Sequence, residues 1–407
     1  MRKFLLLAFI VPLVLAAGWY YFHERTLPAY GPLYREFAYI SNSKSNTVTV
    51  IDLRSFRPVR TLQVGVEPTG VAANPKRNEV YVVNTGSSNV SVIDAEQNKV
   101  VATIGVYGLP YFIDVSPDGR RGYVANSGSG NVSVLDLERR TVAATLRVGN
   151  SPGLARVSPD GSAVVVTNRA DNTVSIIDAT RLAVRSAINV CIHPEDIAIL
   201  PDSSKAFISC SGSGQVASIA LKAEPRQNEP QKNEPQQNEP QNDKLLALLD
   251  VGKSPVSLAL KPDGGELIAF NFDAGSISII ETAANEVSGS YLIGSQPTRG
   301  VVSLDNSRLY VSNFGSNNIA VYDIDLGKII AYLPVGTHPD ALALSQDQNY
   351  LLVLDSGSGD LVVIQKRQPK KKFEPSEYSL LTIIPVGMQP NQIVVKSFRA
   401  TKLIDGR

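Results

Sequence analysis

The 407-residue chain has few of the residue types that most often carry out chemistry: three histidines, two cysteines, two methionines and one tryptophan. It also lacks Gly-x-Ser-x-Gly, His-Glu-x-x-His, phosphate-loop, dinucleotide-binding and Cys-x-x-Cys patterns. These absences argue against the hydrolases, zinc peptidases, nucleotide-binding enzymes and dithiol oxidoreductases that carry such motifs. The net charge of +1 gives no reason to expect nucleic-acid binding.

A repeat of 42 residues is the dominant feature that the sequence does have. The residue that closes the motif Tyr-Val-x-Asn recurs at this step, with one gap of 61: Asn42, Asn84, Asn126, Asn168, Cys210, Asn271, Asn313 and Asp355. A second set of positions, the repeat prolines, keeps the same register until a last step of 51: Pro68, Pro110, Pro152, Pro194, Pro255, Pro297, Pro339 and Pro390. A fixed step of this size indicates one supersecondary unit copied along the chain.

One unit, from Gly70 to Pro110, contains four short runs rich in β-branched residues: 70–73, 80–83, 90–93 and 100–104. Clusters of Gly, Asn, Asp and Pro separate these runs, which is typical of strands joined by tight turns. The gaps are too short for the crossovers that parallel strands require, and no stretch shows helical periodicity. The unit is therefore predicted to be a four-stranded antiparallel propeller blade, with strands A to D from inside to outside.

The two ends of the repeat region predict how the ring closes. The B–C–D part occurs eight times, but the first copy, from Phe37, has no strand A before it. Strand A also occurs eight times, and the last, at 391–395, has no B–C–D part after it. Pairing the two incomplete ends would remove the open edges that promote aggregation. We predict an all-β, eight-bladed propeller, with seven blades as the alternative.

The motifs resemble those of the YVTN family of β-propeller repeats over residues 37–395. The resemblance rests on Tyr-Val-x-Asn at 81–84, 123–126 and 310–313 and on Pro-Asp-Gly turns at 117, 159 and 262. It implies an exported prokaryotic protein of the envelope or cell surface. Propellers of this broad group include scaffolds and haem-d1-binding domains, so the resemblance is specific for fold and not for function.

The N-terminal segment, residues 1–25, is predicted to be a signal anchor or a signal peptide. Residues 4–22 carry no charge and, as a helix, would rise about 28 Å, enough to cross a bilayer. Aromatic residues 19–22 favour an uncleaved anchor, whereas the small residues 16–18 allow cleavage. No cysteine lies nearby to be lipidated. Both alternatives export the chain to the periplasm or cell surface, and the anchor would hold it in the inner membrane.

The remaining boundaries follow from composition. A juxtamembrane stalk at 26–36 precedes the propeller at 37–395, and a tail at 396–407 follows it. The insertion at 222–243 repeats Asn-Glu-Pro-Gln-x without a large apolar residue, so we expect a solvated loop. A smaller insertion at 367–378 contains three consecutive lysines. Both insertions are expected between strands C and D.

The two cysteines replace repeat residues in the same blade. Cys191 stands three residues before a repeat proline, where glycine is usual, and Cys210 stands at the end of strand B, where asparagine is usual. Because strands A and B are antiparallel neighbours, the two positions should lie side by side. An oxidising compartment then favours a disulfide over two separate buried thiols.

The candidate site is the funnel where the inner strands begin, because the two residues after each repeat proline vary between blades. The ligand- or partner-binding candidates at these positions are Tyr111, Glu195, Asp196, Arg299, Asp340 and Gln392. His193 and His338 precede repeat prolines three blades apart, so they cannot share a metal ion, but either is a candidate axial ligand of a haem. The repeat asparagines and the aspartates that end strand C are interpreted as turn-forming residues.

The function expected from these patterns is a non-enzymatic, exported scaffold that binds a protein partner or ligand at the envelope. No catalytic residue, metal or cofactor is predicted. One alternative is a propeller that binds haem or another small molecule in the funnel, and another is a lactonase-like hydrolase with a funnel carboxylate as its base. The sequence leaves the oligomeric state open.

Overall fold

The computed structural model describes residues 31–221, 243–367 and 377–401, and in these ranges the chain forms 32 β-strands and one 3-10 turn, Ser43–Ser45. Among the described residues, no helix combines the length and apolarity needed to cross a membrane. The predicted N-terminal helix and most of both insertions lie outside the described residues.

The strands are short and follow one another with tight turns. The first sixteen are β1 Tyr34–Asn42, β2 Thr47–Asp52, β3 Arg57–Gln63, β4 Pro68–Ala73, β5 Glu79–Asn84, β6 Asn89–Asp94, β7 Lys99–Gly105, β8 Pro110–Val115, β9 Arg121–Asn126, β10 Asn131–Asp136, β11 Thr141–Arg147, β12 Pro152–Val157, β13 Ala163–Asn168, β14 Thr173–Asp178, β15 Ala183–Asn189 and β16 Pro194–Ile199. The other sixteen are β17 Lys205–Cys210, β18 Gln215–Ala220, β19 Lys244–Asp250, β20 Pro255–Leu260, β21 Glu266–Asn271, β22 Ser276–Glu281, β23 Glu286–Leu292, β24 Pro297–Val302, β25 Arg308–Asn313, β26 Asn318–Asp323, β27 Lys328–Pro334, β28 Pro339–Leu344, β29 Tyr350–Asp355, β30 Asp360–Arg367, β31 Glu377–Pro385 and β32 Pro390–Arg399.

These strands build eight four-stranded antiparallel sheets, which confirms the eight-bladed propeller and not the seven-bladed alternative. The second to eighth blades are consecutive in sequence, beginning with β4–β7 and ending with β28–β31. The first blade has the order β3-β2-β1-β32, so the C-terminal strand is its inner strand, as predicted. β1 and β32 pair from Tyr34↔Arg399 to Asn42↔Pro390, a few residues past the expected limits of 37–395.

The apolar core lies between blades. Strands B and C are buried along almost their whole length, as in β5 and β6, whereas strand D is more exposed, most clearly in β23. Tyr81 and Val92 of the second blade share one hydrophobic cluster with Ile113 and Val124 of the third. No blade can bury its faces alone, so the ring must close for each to gain the free energy of apolar burial.

The repeat asparagine ties together the loops at one face of the ring. In the fourth blade, Asn168 Nδ2 donates to Thr173 Oγ1 at 3.0 Å and to Ser175 Oγ at 2.9 Å in strand C. Its Oδ1 accepts from the backbone N–H of Gly149 at 3.0 Å, three residues before the repeat proline. A Cβ at Gly149 would come within 2.6 Å of the Asn168 side chain, so only glycine fits. The first blade makes the same tie between Asn42 Oδ1 and the Gly387 N–H at 3.1 Å, whereas Oδ1 of the other four repeat asparagines has no hydrogen-bond partner among the described residues.

The fifth blade replaces this glycine–asparagine pair with a disulfide between Cys191 and Cys210, as predicted. The two Cα atoms lie 5.7 Å apart, and both side chains are buried. The blade also lacks the strand C hydroxyl that the other tie uses, because the equivalent of Ser175 is Ala217. A covalent bond therefore does in this blade what hydrogen bonds do elsewhere.

We predict that the disulfide can be replaced by the pair that the repeat uses. Cys191→Ala with Cys210→Ala should lower the free energy of unfolding by about 3 kcal/mol, the chain-entropy value for a loop of 19 residues. Cys191→Gly with Cys210→Asn should recover about 1 kcal/mol of that loss through the restored hydrogen bond. Denaturant unfolding of the three oxidised proteins measures both differences. If the alanine double variant unfolds like the parent, the disulfide has no stabilising role.

The eighth blade carries an aspartate, Asp355, at the asparagine position and a second one, Asp360, where the tie has its strand C partner. Asp355 is fully buried, and its Oδ2 accepts from the Gly336 N–H at 3.0 Å. Burial raises the pKa of Asp355 to about 8, and the Asp360 carboxyl adds to this effect while the Gly336 N–H opposes it. One shared proton lets the two carboxyl groups reproduce the hydrogen bond that asparagine makes elsewhere.

We predict that this pair makes the ring less stable as the pH rises. The folded-state pKa of Asp355 lies above its ordinary value of 3.8, so the folded protein holds a proton that the unfolded chain has released. Stability should therefore fall between about pH 4 and pH 8. Asp355→Asn should remove this fall and raise the free energy of unfolding by roughly 1–3 kcal/mol above pH 8. Thermal melts across this range test it, with the exposed Asp325→Asn as the matched control.

Candidate ligand cavity at the centre of the ring

The inner strands converge on a cavity of about 360 Å³ that receives residues from all eight blades. Its volume is at the small end of the range for ligand pockets, roughly 300–1,000 Å³. The structure brings together at its wall all six funnel residues proposed from the sequence: Tyr111, Glu195, Asp196, Arg299, Asp340 and Gln392. The repeat places them there because each follows a repeat proline at the start of an inner strand.

Three large side chains of the cavity were not anticipated: Arg156, Arg169 and Phe272. Arg169 and Phe272 directly follow the repeat asparagine, at a position that is serine or threonine in five of the eight blades. Arg156 is the fourth residue after its repeat proline, where six blades have alanine or valine. Departure from the repeat at these two further positions was the available sequence signal.

Glu195 and Arg169 form a salt bridge in the wall of the cavity. Arg169 Nη2 lies 2.8 Å from Glu195 Oε2, and the Arg169 guanidinium stands 5.0 Å from the centre of the Tyr111 ring. The other oxygen of Glu195 lies 2.7 Å from His193 Nδ1. These contacts occupy both carboxylate oxygens, so Glu195 and Arg169 already have their charge partners within the protein.

Asp196 connects the fifth and sixth blades. Its Oδ2 accepts from the Ser257 hydroxyl at 2.9 Å and from the Leu258 N–H at 3.0 Å, while Oδ1 accepts from its neighbour Ile197. Asp114 makes the same kind of bond between the third and fourth blades, to the Val157 N–H at 2.9 Å. Asp196 is therefore engaged in holding adjacent inner strands together.

Arg156 and Arg299 differ from Arg169, because neither guanidinium forms a salt bridge or a side-chain hydrogen bond with any described residue. Arg156 lies over the Phe112 ring, 4.4 Å from its centre. The hydrogen bonds of Arg299 involve only its main chain, with Ser312. Both side chains line the cavity. Each guanidinium keeps its donors available to a molecule inside it.

Asp340 is the third carboxyl group of the cavity and makes no hydrogen bond within the described part of the chain. It is half-buried. Removal from water raises the pKa of its carboxyl, and the positive charge of Arg299 partly opposes that shift. Asp340 therefore holds a proton more readily than an exposed aspartate does.

Neither candidate axial histidine is among the residues that line the cavity. His193 lies at its mouth, half-exposed and bound to Glu195. His338 stacks on the Phe314 ring, with ring centres 4.3 Å apart. Within the described ranges, no group of three or more His, Cys, Asp or Glu side chains is placed to hold a metal ion.

Comparisons with known proteins agree with the fold. The family model for YNCE-like beta-propellers matches residues 25–156. No curated protein sequence matches the chain significantly.

Solved structures of varied function share the architecture. The dihydro-heme d1 dehydrogenase NirN in complex with DHE aligns with a TM-score of 0.71 and 18% identity, over 91% of this chain and 78% of that chain. Kuenenia stuttgartiensis hydrazine synthase aligns with a TM-score of 0.54 and 20% identity, over 80% of this chain and 91% of that chain. A Bacteroides uniformis protein assigned as a 6-phosphogluconolactonase aligns with a TM-score of 0.58 and 15% identity, over 89% of this chain and 99% of that chain. At these identities the likeness concerns the fold alone. Together, the 42-residue repeat, the closed ring of eight blades and the family match identify the chain as a β-propeller repeat protein of the YVTN type.

Proposed function

We propose that this chain is an exported, non-enzymatic propeller scaffold that binds a small ligand in its central cavity and a protein partner at the same face. The observation that carries the ligand is the pair of arginines, Arg156 and Arg299, which line the cavity and whose guanidiniums make no hydrogen bond or salt bridge with a described residue. Both side chains are half-buried, and their free N–H donors can bind a molecule inside the cavity.

Exposed apolar side chains around the cavity mouth support a protein partner. They occupy the loops just before the repeat prolines, on the face where the inner strands begin: Val66, Leu109, Ile192 and Met388, each more than half exposed. Large apolar residues exposed on one face of a protein, in the loops of several blades, support a protein partner at that face.

Binding is favoured over hydrolysis by the state of the carboxylates. Glu195 is held by Arg169 and His193, and Asp196 by Ser257 and backbone N–H groups. Asp340 is then the remaining carboxyl group in the described part of the cavity. A lactonase-like reaction would have to use this residue as its base, because the other two carboxylates are engaged by protein partners.

We predict that filling the cavity abolishes ligand binding without affecting the fold. Val256 lines the cavity, and Val256→Trp should displace a bound molecule, whereas Val142→Trp on an exposed outer strand should not. Native mass spectrometry of protein purified from membranes measures what each variant retains. If the parent and both variants carry the same molecules in the same amounts, or none, the cavity is not a ligand site.

Haem binding is the second candidate, because the fold is shared with a dihydro-heme d1 dehydrogenase. The residues fit this group only in part. Arg156 and Arg299 suit its propionates, but no histidine, cysteine or methionine is among the described residues of the cavity wall. His193 at the mouth would have to supply the axial ligand. A visible absorption spectrum of protein purified from membranes, without a Soret band, would exclude haem.

We predict that the propeller lies outside the cytoplasm. The proposal is supported by the uncharged run at 4–22 after Arg2 and Lys3, and by the Cys191–Cys210 disulfide, which persists in oxidising compartments. A reporter that is active only after export, fused after Arg407, should be active, and Leu13→Lys with Leu15→Lys should abolish its activity. Retention in salt-washed membranes would support the anchor, and a soluble product starting at Trp19 would support cleavage. An inactive parent fusion would contradict export.

A further inference from the structure

We infer that the ligand of the central cavity is a small organic monocarboxylate with an apolar body. The inference rests on the proposed function, namely that the cavity binds a ligand, and assigns the chemical class. It follows from which polar groups of the wall are engaged by the protein and which are left for a ligand.

Several polar side chains of the cavity wall already have partners within the protein. Glu195 pairs with Arg169, and Asp196 holds the neighbouring inner strand. Asn391 donates to the Pro68 carbonyl at 3.0 Å and accepts from the Ser41 hydroxyl. Thr298 pairs with the Ser312 hydroxyl at 2.8 Å. These side chains build the wall and have little capacity left for another molecule.

The groups that remain are mainly donors. Two of them, Arg156 and Arg299, are permanently charged, and Gln392 makes no side-chain hydrogen bond with a described residue. A cation would be repelled by the two guanidiniums, and a neutral molecule would leave Arg156 without a counter-charge. A carboxylate accepts two parallel N–H bonds from one guanidinium, which makes it the matching partner.

The net charge of the cavity wall favours a ligand with one carboxylate group over a ligand with two carboxylate groups or a phosphate. Arg156, Arg169 and Arg299 are opposed by Glu195, Asp196 and Asp340. The wall therefore carries no net charge when Asp340 is ionised and one positive charge when it is protonated, so a dianion exceeds its charge in either state and a monoanion matches the second. Among the charged residues of the cavity, Arg299 on the adjacent inner strand acts directly on Asp340. The other four, Arg156, Arg169, Glu195 and Asp196, lie elsewhere around the ring. The inner strand on the other side of Asp340 contributes the uncharged Asn391 and Gln392.

The apolar part of the wall indicates the body of the ligand. Phe112, Leu154, Val256 and Phe272 line the same cavity as the arginines. One face of the Phe112 ring is covered by Arg156, so the guanidinium is fixed against an apolar surface and its direction is restricted. A ligand that presents a carboxylate to an arginine can therefore bury its hydrocarbon part against this wall.

The test compares carboxylates with amides of the same shape, using the full chain. Thermal shift and isothermal titration are measured with benzoate and benzamide, phenylacetate and phenylacetamide, hexanoate and hexanamide, and with inorganic phosphate. At least one carboxylate should stabilise the protein where its amide does not. Arg156→Gln and Arg299→Gln should each weaken its binding at least about tenfold, the effect of losing one charged hydrogen bond. The exposed Arg139→Gln is the matched control and should leave binding unchanged.

Two further variants test the geometry of the carboxylate contact and the effect of the Asp340 charge. Arg156→Lys keeps the charge but loses the bidentate geometry, so it should bind more weakly than the parent and more tightly than Arg156→Gln. Asp340→Asn should strengthen carboxylate binding at high pH and remove its decline with rising pH, because the ionised carboxyl repels the ligand. The folded state of each variant is checked by its melt without ligand.

The inference is overturned if no carboxylate is preferred to its amide, if the preference survives both arginine-to-glutamine substitutions, or if phosphate alone binds through these arginines. It is also overturned if the molecule displaced by Val256→Trp is neutral or cationic, and in that case the proposed ligand-binding function stands. If Val256→Trp displaces nothing, the proposed function itself fails.

Discussion

The pairing of β1 with β32 is the interaction on which the rest of the structure depends. It joins the two ends of the chain over Tyr34–Asn42 and Pro390–Arg399 and completes the first blade. Without it the ring would have an open edge, and the faces of the first and eighth blades would lose the apolar contacts that now join them. The central cavity exists only because the ring is closed, since its wall takes residues from every blade.

One pair of positions in each blade shows how the repeat can change its chemistry and keep its architecture. In the first and fourth blades, glycine before the repeat proline and asparagine at the end of strand B bring two loops together by a hydrogen bond, between Gly387 and Asn42 and between Gly149 and Asn168. The fifth blade makes the same connection with the Cys191–Cys210 disulfide, and the eighth makes it with Asp355, whose Oδ2 accepts from the Gly336 N–H and whose pKa is raised by burial and by the neighbouring Asp360. The three solutions respond to different conditions, because only the disulfide depends on redox state and only the carboxyl pair on pH.

The cavity illustrates why charged residues must be judged by their partners. Glu195 and Asp196 are ligand- or partner-binding candidates in the sequence, yet the structure engages one with Arg169 and the other with the next inner strand. Arg156, Arg299 and Asp340 remain without a hydrogen-bonded protein partner among the described residues, and the two guanidiniums are the reason for proposing an anionic ligand. Conclusions about function therefore follow from the free groups of the wall and not from its composition.

The sequence by itself determined the architecture of this protein. The period of 42 residues specified the blade, the incomplete ends specified closure by the C-terminal strand, and the paired loss of glycine and asparagine in one blade specified the disulfide. These inferences succeed because strand pairing is local and repeats at a fixed spacing, so register alone places the residues. Register also placed Tyr111, Glu195, Asp196, Arg299, Asp340 and Gln392 around one cavity.

Only the tertiary structure decided what these side chains do, because their partners come from other blades. Arg169 lies in the blade before Glu195, and Phe112 lies in the blade before Arg156. Which charges pair across blades depends on side-chain reach and burial in the closed ring, and the repeat contains neither quantity.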